Sequence, residues 1–314
     1  MFGSNGHYGH RWILNRYAGV PVGTPIPGNL EHGWNYNLGA TQADIEASRP
    51  DPFYLWSERN LRGCRDVGGL DHVVPLGAPF LYMPPLEAPV EAEPGSLLVM
   101  PTHGWEKGQL QHEFEVYAKQ LSEIEQRFRS ITVCLYWFEF QEERYRKPFE
   151  SRGYRVMTSG LRDNNPTFLL GLRRLLLRHE YVSSNRAQTA TFYALHLNRK
   201  FFVYGPPVGV EQWIDPTGKL FHAWQSAEFP MLMWDRFQDD THPDLGGREL
   251  GLEFVRSSEA LRALFLWEPN MKHELLERIN AKNQRYVKRK REARLGAWRN
   301  ALQSLPFVGH FISK

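Results

Sequence analysis

The sequence predicts an α/β protein of two lobes with a cleft between them, the first lobe reduced, followed by a basic helical tail. Three observations carry this expectation. Between residues 96 and 205, apolar strand-like runs alternate with amphipathic helical runs, the pattern of a parallel, doubly wound sheet. Residues 1–90 are rich in Gly and Pro, with only short β-prone pieces. From 282 to 299, Lys282, Arg285, Lys288, Arg289, Lys290, Arg291, Arg294 and Arg299 are opposed by Glu292 alone.

In the first lobe, residues 1–90, the pieces Arg11 to Leu14, Phe53 to Trp56 and Val73 to Leu76 read as strands joined by long loops. Pro84-Pro85, Pro89 and Glu91 to Gly95 read as a linker. The second lobe, residues 95–270, opens with a buried strand from Ser96 to Met100. A helix from Gln111 to Phe128 follows, with Phe114, Tyr117, Ala118, Leu121 and Ile124 at the three-four spacing of one face. Strands are expected from Ile131 to Trp137 and from Tyr154 to Thr158, then a helix from Asn165-Pro166-Thr167 to Leu177, where Pro suits the first turn. The next unit is a strand ending at Tyr181-Val182-Ser183-Ser184-Asn185, a helix from Arg186 to Asn198 and a strand from Lys200 to Gly205. The tail, residues 271–314, reads as a basic amphipathic helix.

Hydrophobic residues make up 42% of the 314 and aromatics 13%, which excludes a disordered chain. Cys64 and Cys134 belong to no CxxC pair, so neither a disulfide framework nor a thiolate metal site is expected, and a reducing compartment fits. No basic and apolar leader opens the sequence, and no window reaches the ~18 apolar residues of a membrane span. A cytoplasmic protein is expected. Neither GxxxxGK[ST] nor GxGxxG occurs, which argues against a P-loop or a standard dinucleotide enzyme.

Ligands of doubly wound sheets bind beyond the carboxyl ends of the strands. Ser183, Ser184 and Asn185 stand there with the start of the next helix, including Thr189, where hydroxyls and orphan N–H groups suit a phosphate; the plainer alternative is an N-cap. Thr102 and His103 follow the first strand of this lobe in the same topological position, His103 as phosphate ligand, acid or capping residue. In the first lobe, Glu31-His32 in a glycine-flanked loop pairs an imidazole with a carboxylate, a general-base arrangement unless His32 is structural. Trp34, Tyr136 and Trp137 are candidates for stacking on a base or acceptor sugar, against a core role. Thr241-His242-Pro243-Asp244 lacks further ligands at metal spacing and reads as a polar turn. The tail, with Trp298, Leu302, Leu305, Phe307 and Phe311 after the basic run, suits an anionic membrane surface, a solvated helix or an RNA-binding tail. No RRM, KH or zinc signature supports nucleic acid as the main partner.

Glu31-His32-Gly33-Trp34, Pro101-Thr102-His103, and Tyr181 to Asn185 before Ala194-Leu195-His196-Leu197-Asn198-Arg199-Lys200 resemble GT-B glycosyltransferases of bacterial capsule and surface-polysaccharide synthesis. Related groups are the CDP-glycerol glycerophosphotransferases and the polysialic-acid type sialyltransferases. The resemblance implies two Rossmann-like lobes, the first on the acceptor side and the second on the nucleotide-donor side. It implies His32 as the base and Ser183 and Ser184 as the residues that hold the donor phosphate. The chain departs from the family where Tyr136-Trp137 replaces an expected His-Pro, and in its short first half. The implied activity is transfer from a nucleotide-sugar donor to a glycan or lipid-linked acceptor, without metal or other cofactor, at the inner membrane through residues 282–312. The alternative is a non-catalytic nucleotide-sensing or membrane-scaffolding protein.

Overall fold

The computed structural model describes residues 4–36, 45–67, 70–103, 114–208 and 218–303. Its first sheet has three short parallel strands, β1 (Asn29–Leu30), β2 (Phe53–Leu55) and β3 (Val73–Pro75), in the order β1-β2-β3. Helices α1 (His10–Tyr17) and α2 (Glu58–Val67) accompany it. The strand expected from Arg11 to Leu14 is thus helical. His10, Ile13 and Leu14 fall on one buried face at three-four spacing, and that burial outweighs the β-preference of the Trp-Ile pair.

The second sheet is wholly parallel and runs β6-β5-β4-β7-β8, from β4 (Glu93–Val99), β5 (Ser130–Leu135), β6 (Arg155–Thr158), β7 (His179–Ser184) and β8 (Lys200–Val203). Leu97, Leu98 and Val99 are completely buried, as expected of a strand covered on both faces. The connecting helices are α3 (Phe114–Ile124), α4 (Trp137–Gln141), α5 (Glu143–Glu150), α6 (Phe168–Leu177) and α7 (Thr189–His196). Residues 111–113 of the expected first helix lie outside the described residues.

Several boundaries differ from the sequence reading, and β4 already begins at Glu93, inside the expected linker. β5 stops at Leu135, and Trp137 opens α4 after an extended Tyr136. The helix after β7 begins at Thr189 rather than Arg186. Gln188 is its N-cap, in a capping box with Thr191, so Ser183 to Asn185 do not cap it.

After β8 come α8 (Lys219–Glu228), α9 (Pro243–Leu250), α10 (Ser258–Leu264) and α11 (Lys272–Gln303). α9 lies so close to α7 that a Cβ on Gly246 would stand 2.3 Å from the His196 backbone nitrogen. The chain then returns to the first lobe. Phe265 packs edge-on against Tyr54 at 5.0 Å, Arg262 Nη1 donates to Ala18 O at 3.0 Å, and Trp267 Nε1 donates to Pro25 O at 2.8 Å. In α11, Lys282 bonds Gly28 O, Arg285 pairs with Asp51 at 2.5 Å, and Arg289 bonds Ala47 O. The early basic residues of the expected tail therefore pack on the first lobe, while Lys288, Lys290, Arg291 and Arg294 are exposed. Residues 304–314, with Leu305, Phe307 and Phe311, lie outside the described part.

One hydrophobic core runs through both lobes, joining Tyr54, Trp56, Phe80, Phe192, Tyr193, Leu250 and Phe265. At its centre Phe80 stacks on Tyr193 with ring centroids 3.9 Å apart.

Candidate functional site

The strand order of the second sheet reverses between β4 and β7: the chain moves outward through β5 and β6, then crosses to β7 and β8 on the other side. Beyond the carboxyl ends of two such neighbours the following loops diverge and leave a crevice. Thr102 and His103 extend beyond β4 on one side of it, and residues 185–188 beyond β7 on the other. The loop after β1, residues 31–36, meets this crevice from the first lobe. Trp34 N donates to Thr189 Oγ1 at 3.0 Å, and a Cβ on Gly33 would stand 2.8 Å from the same oxygen. Glycine there permits the approach.

His32 stands in this loop beside the crevice, solvent-exposed yet with His7 and Tyr8 packed against its ring. Its ring meets His7 edge-on at 4.6 Å and Tyr8 at 5.1 Å. Desolvation by this surrounding protein, and then the positive potential of His7, Arg162, His10 and His103, hold its pKa well below 6.5. The wall opposite is aromatic and basic. Arg162 lies 5.7 Å from the Tyr8 ring and 5.1 Å from that of Tyr136, and His103 stacks on Tyr136 at 4.4 Å.

Glu31 points inward. It is completely buried, its Oε2 accepts from Trp56 N at 2.6 Å and its Oε1 accepts from Asn60 Nδ2. Burial pushes its carboxyl up to about 8, against the opposing pull of hydrogen bonds from Trp56, Asn35 and Asn60. The side chain ties the ends of β1 and β2 together rather than facing the cleft. Behind it, His10 is fully buried and pushed down to about 3, by burial first and His7 second.

The residues expected at a donor phosphate divide. Ser183 is fully buried, its hydroxyl beside the Tyr117 phenol under α3. Ser184 Oγ accepts from Gln188 Nε2 at 2.9 Å. Asn185 accepts from Thr102 N at 2.9 Å and donates to Pro206 O at 3.0 Å, lacing together the loops after β4, β7 and β8. These three side chains build the crevice from within, so their polar atoms are turned away from it. His103 and Thr189 remain half-buried at its edge, whereas Thr102 is buried with its hydroxyl shut off from solvent. Of the stacking candidates, Tyr136 joins the cleft wall. Trp34 lies in the core against Phe192 and Phe229, with Nε1 donating to Glu249 at 2.9 Å, so it offers no open ring face. Trp137 is half-buried at the start of α4.

No protein-family model matches the chain, and no curated protein matches it. Solved structures do. A UDP-GlcNAc 2-epimerase from Neisseria meningitidis bound to UDP-GlcNAc is 14% identical, with a TM-score of 0.40, over 81% of this chain and 72% of that one. The wall teichoic acid polymerase TagF is 13% identical at a TM-score of 0.33, over 81% of this chain, which spans 62% of its length. A glycosyltransferase from Rickettsia africae is 12% identical at 0.29, over 82% of this chain and 70% of that one. At these scores the likeness assigns neither substrate nor reaction to the chain.

The sequence reading missed His7, Tyr8, His10, Arg162 and Asp163. Arg162 and Asp163 follow β6 at its carboxyl end, the position that had singled out Thr102 and Ser184, so the same rule extends to them. His7-Tyr8-Gly9-His10 leads into α1, and nothing local announces that this segment reaches the second lobe.

Proposed function

We propose that the protein is a glycosyltransferase that moves a sugar or sugar-like group from a nucleotide donor to a glycan or lipid-linked acceptor. The donor lies across the crevice between the loops after β4 and β7, with its phosphates near Thr102, His103 and the first turn of α7 at Thr189, where backbone N–H groups and the helix dipole favour negative charge. Tyr136 and Arg162 flank the donor. His32 takes the proton of the acceptor hydroxyl as that oxygen attacks the donor, and the leaving phosphate is stabilised by the basic wall.

The observation that supports this reading most is His32 itself: a solvent-open imidazole, held neutral by its surroundings, at the meeting of two parallel sheets' carboxyl-end loops. A neutral imidazole is the form that accepts a proton. The acceptor's membrane side is served by α11, whose exposed Lys288, Lys290, Arg291 and Arg294 accompany exposed Val287 and Leu295, a composition suited to anionic lipid.

Calorimetric titration with CMP, UDP and GDP, followed by donor turnover in wild type and His32→Ala, tests the proposal. Binding of one nucleotide with turnover that collapses in His32→Ala supports a transferase. Binding without His32-dependent turnover points instead to a nucleotide sensor, and absence of binding by all three removes the donor site.

A further inference from the structure

The Asp163–His7 pair spans the two lobes. Asp163 belongs to the loop after β6 of the second lobe, whereas His7 precedes α1 of the first. A carboxylate only accepts, so His7 Nδ1–H donates to Asp163 Oδ1, at 2.5 Å. The backbones bond as well: His7 and Asp163 form an antiparallel bridge, and Tyr8 N donates to Arg162 O at 2.8 Å. Seating is tight on both sides of this bridge. A Cβ on Gly6 would stand 2.9 Å from Asn164 Oδ1, and one on Gly9 would stand 2.8 Å from Asn165 O. His7 is therefore fixed in place from the opposite lobe, and its ring in turn abuts His32 edge-on, centroids 4.6 Å apart at 77°.

We propose that His7 is a positioning residue for His32, held to it by Asp163 of the other lobe, so that the base is aligned only while the lobes are in contact. The inference rests on His32 being the base. An imidazole in an exposed loop samples several rotamers, and a proton acceptor must meet its donor within hydrogen-bond reach. The edge contact restricts the His32 ring plane, and the Asp163 bond restricts the ring that makes the contact, the logic by which a carboxylate orients a catalytic imidazole. The charged or titratable groups around His32 are His7 before α1, His10 at its start, Arg162 from the loop after β6, and His103 from the loop after β4. In that company a misplaced His7 changes both the orientation of His32 and its proton affinity.

The test combines nuclear magnetic resonance of histidine-labelled full-length protein with kinetics, in wild type, Asp163→Ala and His7→Phe. Wild type should show a ring-to-ring Overhauser contact between His7 and His32, which Asp163→Ala should lose while core methyl signals stay in place. In His7→Phe a ring still packs against His32 but carries no charge, so the His32 titration midpoint should rise toward 6.5, because His7 is one of the groups that lower it. Donor turnover in Asp163→Ala should fall at least about tenfold in kcat with KM within about twofold, and Asp163→Glu should recover part of the loss. Survival of the Overhauser contact in Asp163→Ala, or an unmoved His32 midpoint in His7→Phe, overturns the proposal whatever the kinetics. Unchanged kcat in an active wild-type background overturns it too. If wild type turns over no donor, the resonance arms still decide whether Asp163 places His7 on His32, and the failure belongs to the assignment of function.

Discussion

Replacing Glu31 by glutamine tests the most heavily buried acid of the site region. The wild-type carboxyl ordinarily titrates near 4.5 and is pushed up to about 8 by complete burial. The folded protein therefore holds a proton that the unfolded chain releases between those values. The stability that this proton confers is present below pH 4.5 and is lost as pH rises toward 8. At about 1.4 kcal/mol per pH unit, the loss between pH 5 and 8 is roughly 3 to 4 kcal/mol, a large part of the net stability of an ordinary domain. In Glu31→Gln the side-chain amide cannot titrate but keeps an oxygen to accept from Trp56 N. Asn60 can rotate its own amide so that its oxygen, buried without a partner in the wild type, accepts from the new amide group. Urea unfolding of both proteins across pH 5 to 8 isolates the effect, because every other titrating group cancels in the difference. Glu31→Gln should gain on wild type steadily with pH. A difference constant within about 0.5 kcal/mol over that range would show that Glu31 is already ionised in the fold and refute the argument.

Gly33→Ala drives a methyl against Thr189 Oγ1 and should cost about 1 to 2 kcal/mol; combined with Thr189→Ala the losses should be non-additive by about 1 kcal/mol, and a strictly additive urea-melt cycle would deny the contact. Gly246→Ala, whose Cβ would meet a backbone nitrogen of α7, should lose about 2 to 3 kcal/mol or fail to fold, and a melt within about 0.5 kcal/mol of wild type would contradict the close packing of α9 on α7. Charge reversal of Lys288, Lys290, Arg291 and Arg294 leaves the bonds of Lys282 and Arg285 to the first lobe intact, and should abolish co-sedimentation with anionic vesicles at about 1 kcal/mol or more per residue. Equal sedimentation would exclude a membrane role for that face.

The second lobe was legible in the sequence because its physics is local. Leu97 to Val99 is a continuous apolar run, Ile131 to Leu135 is a β-prone run broken only by Thr132, and α3 shows one apolar face, so period and length identify them. The first lobe was harder: β1 is two residues long, and α1 hides in a β-prone run whose burial depends on partners distant in sequence. At the site, the rule that ligands gather past strand ends points to the loops that carry Thr102, His103 and His32. It overreached at Ser183, Ser184 and Asn185, because it names a place and not a direction. Successive strand residues face opposite sides, so Ser183 turns under α3, while Ser184 and Asn185 are taken by Gln188, Thr102 and Pro206. Trp34 was misread as a platform for a similar reason: its partners Phe192, Phe229 and Glu249 come from parts of the chain that no spacing connects to it.

The return of α10 and α11 to the first lobe gives the chain an order of assembly. β1 to β3 emerge from the ribosome early, but Tyr54 gains Phe265, Pro25 gains Trp267, and Asp51 gains Arg285 only after the whole second lobe has been synthesised. A ribosome stalled before residue 258 carries a second sheet with all its strands beside a first sheet still lacking its cover. Nascent-chain lengths released past residue 285 should be the first in which the amino-terminal part resists protease.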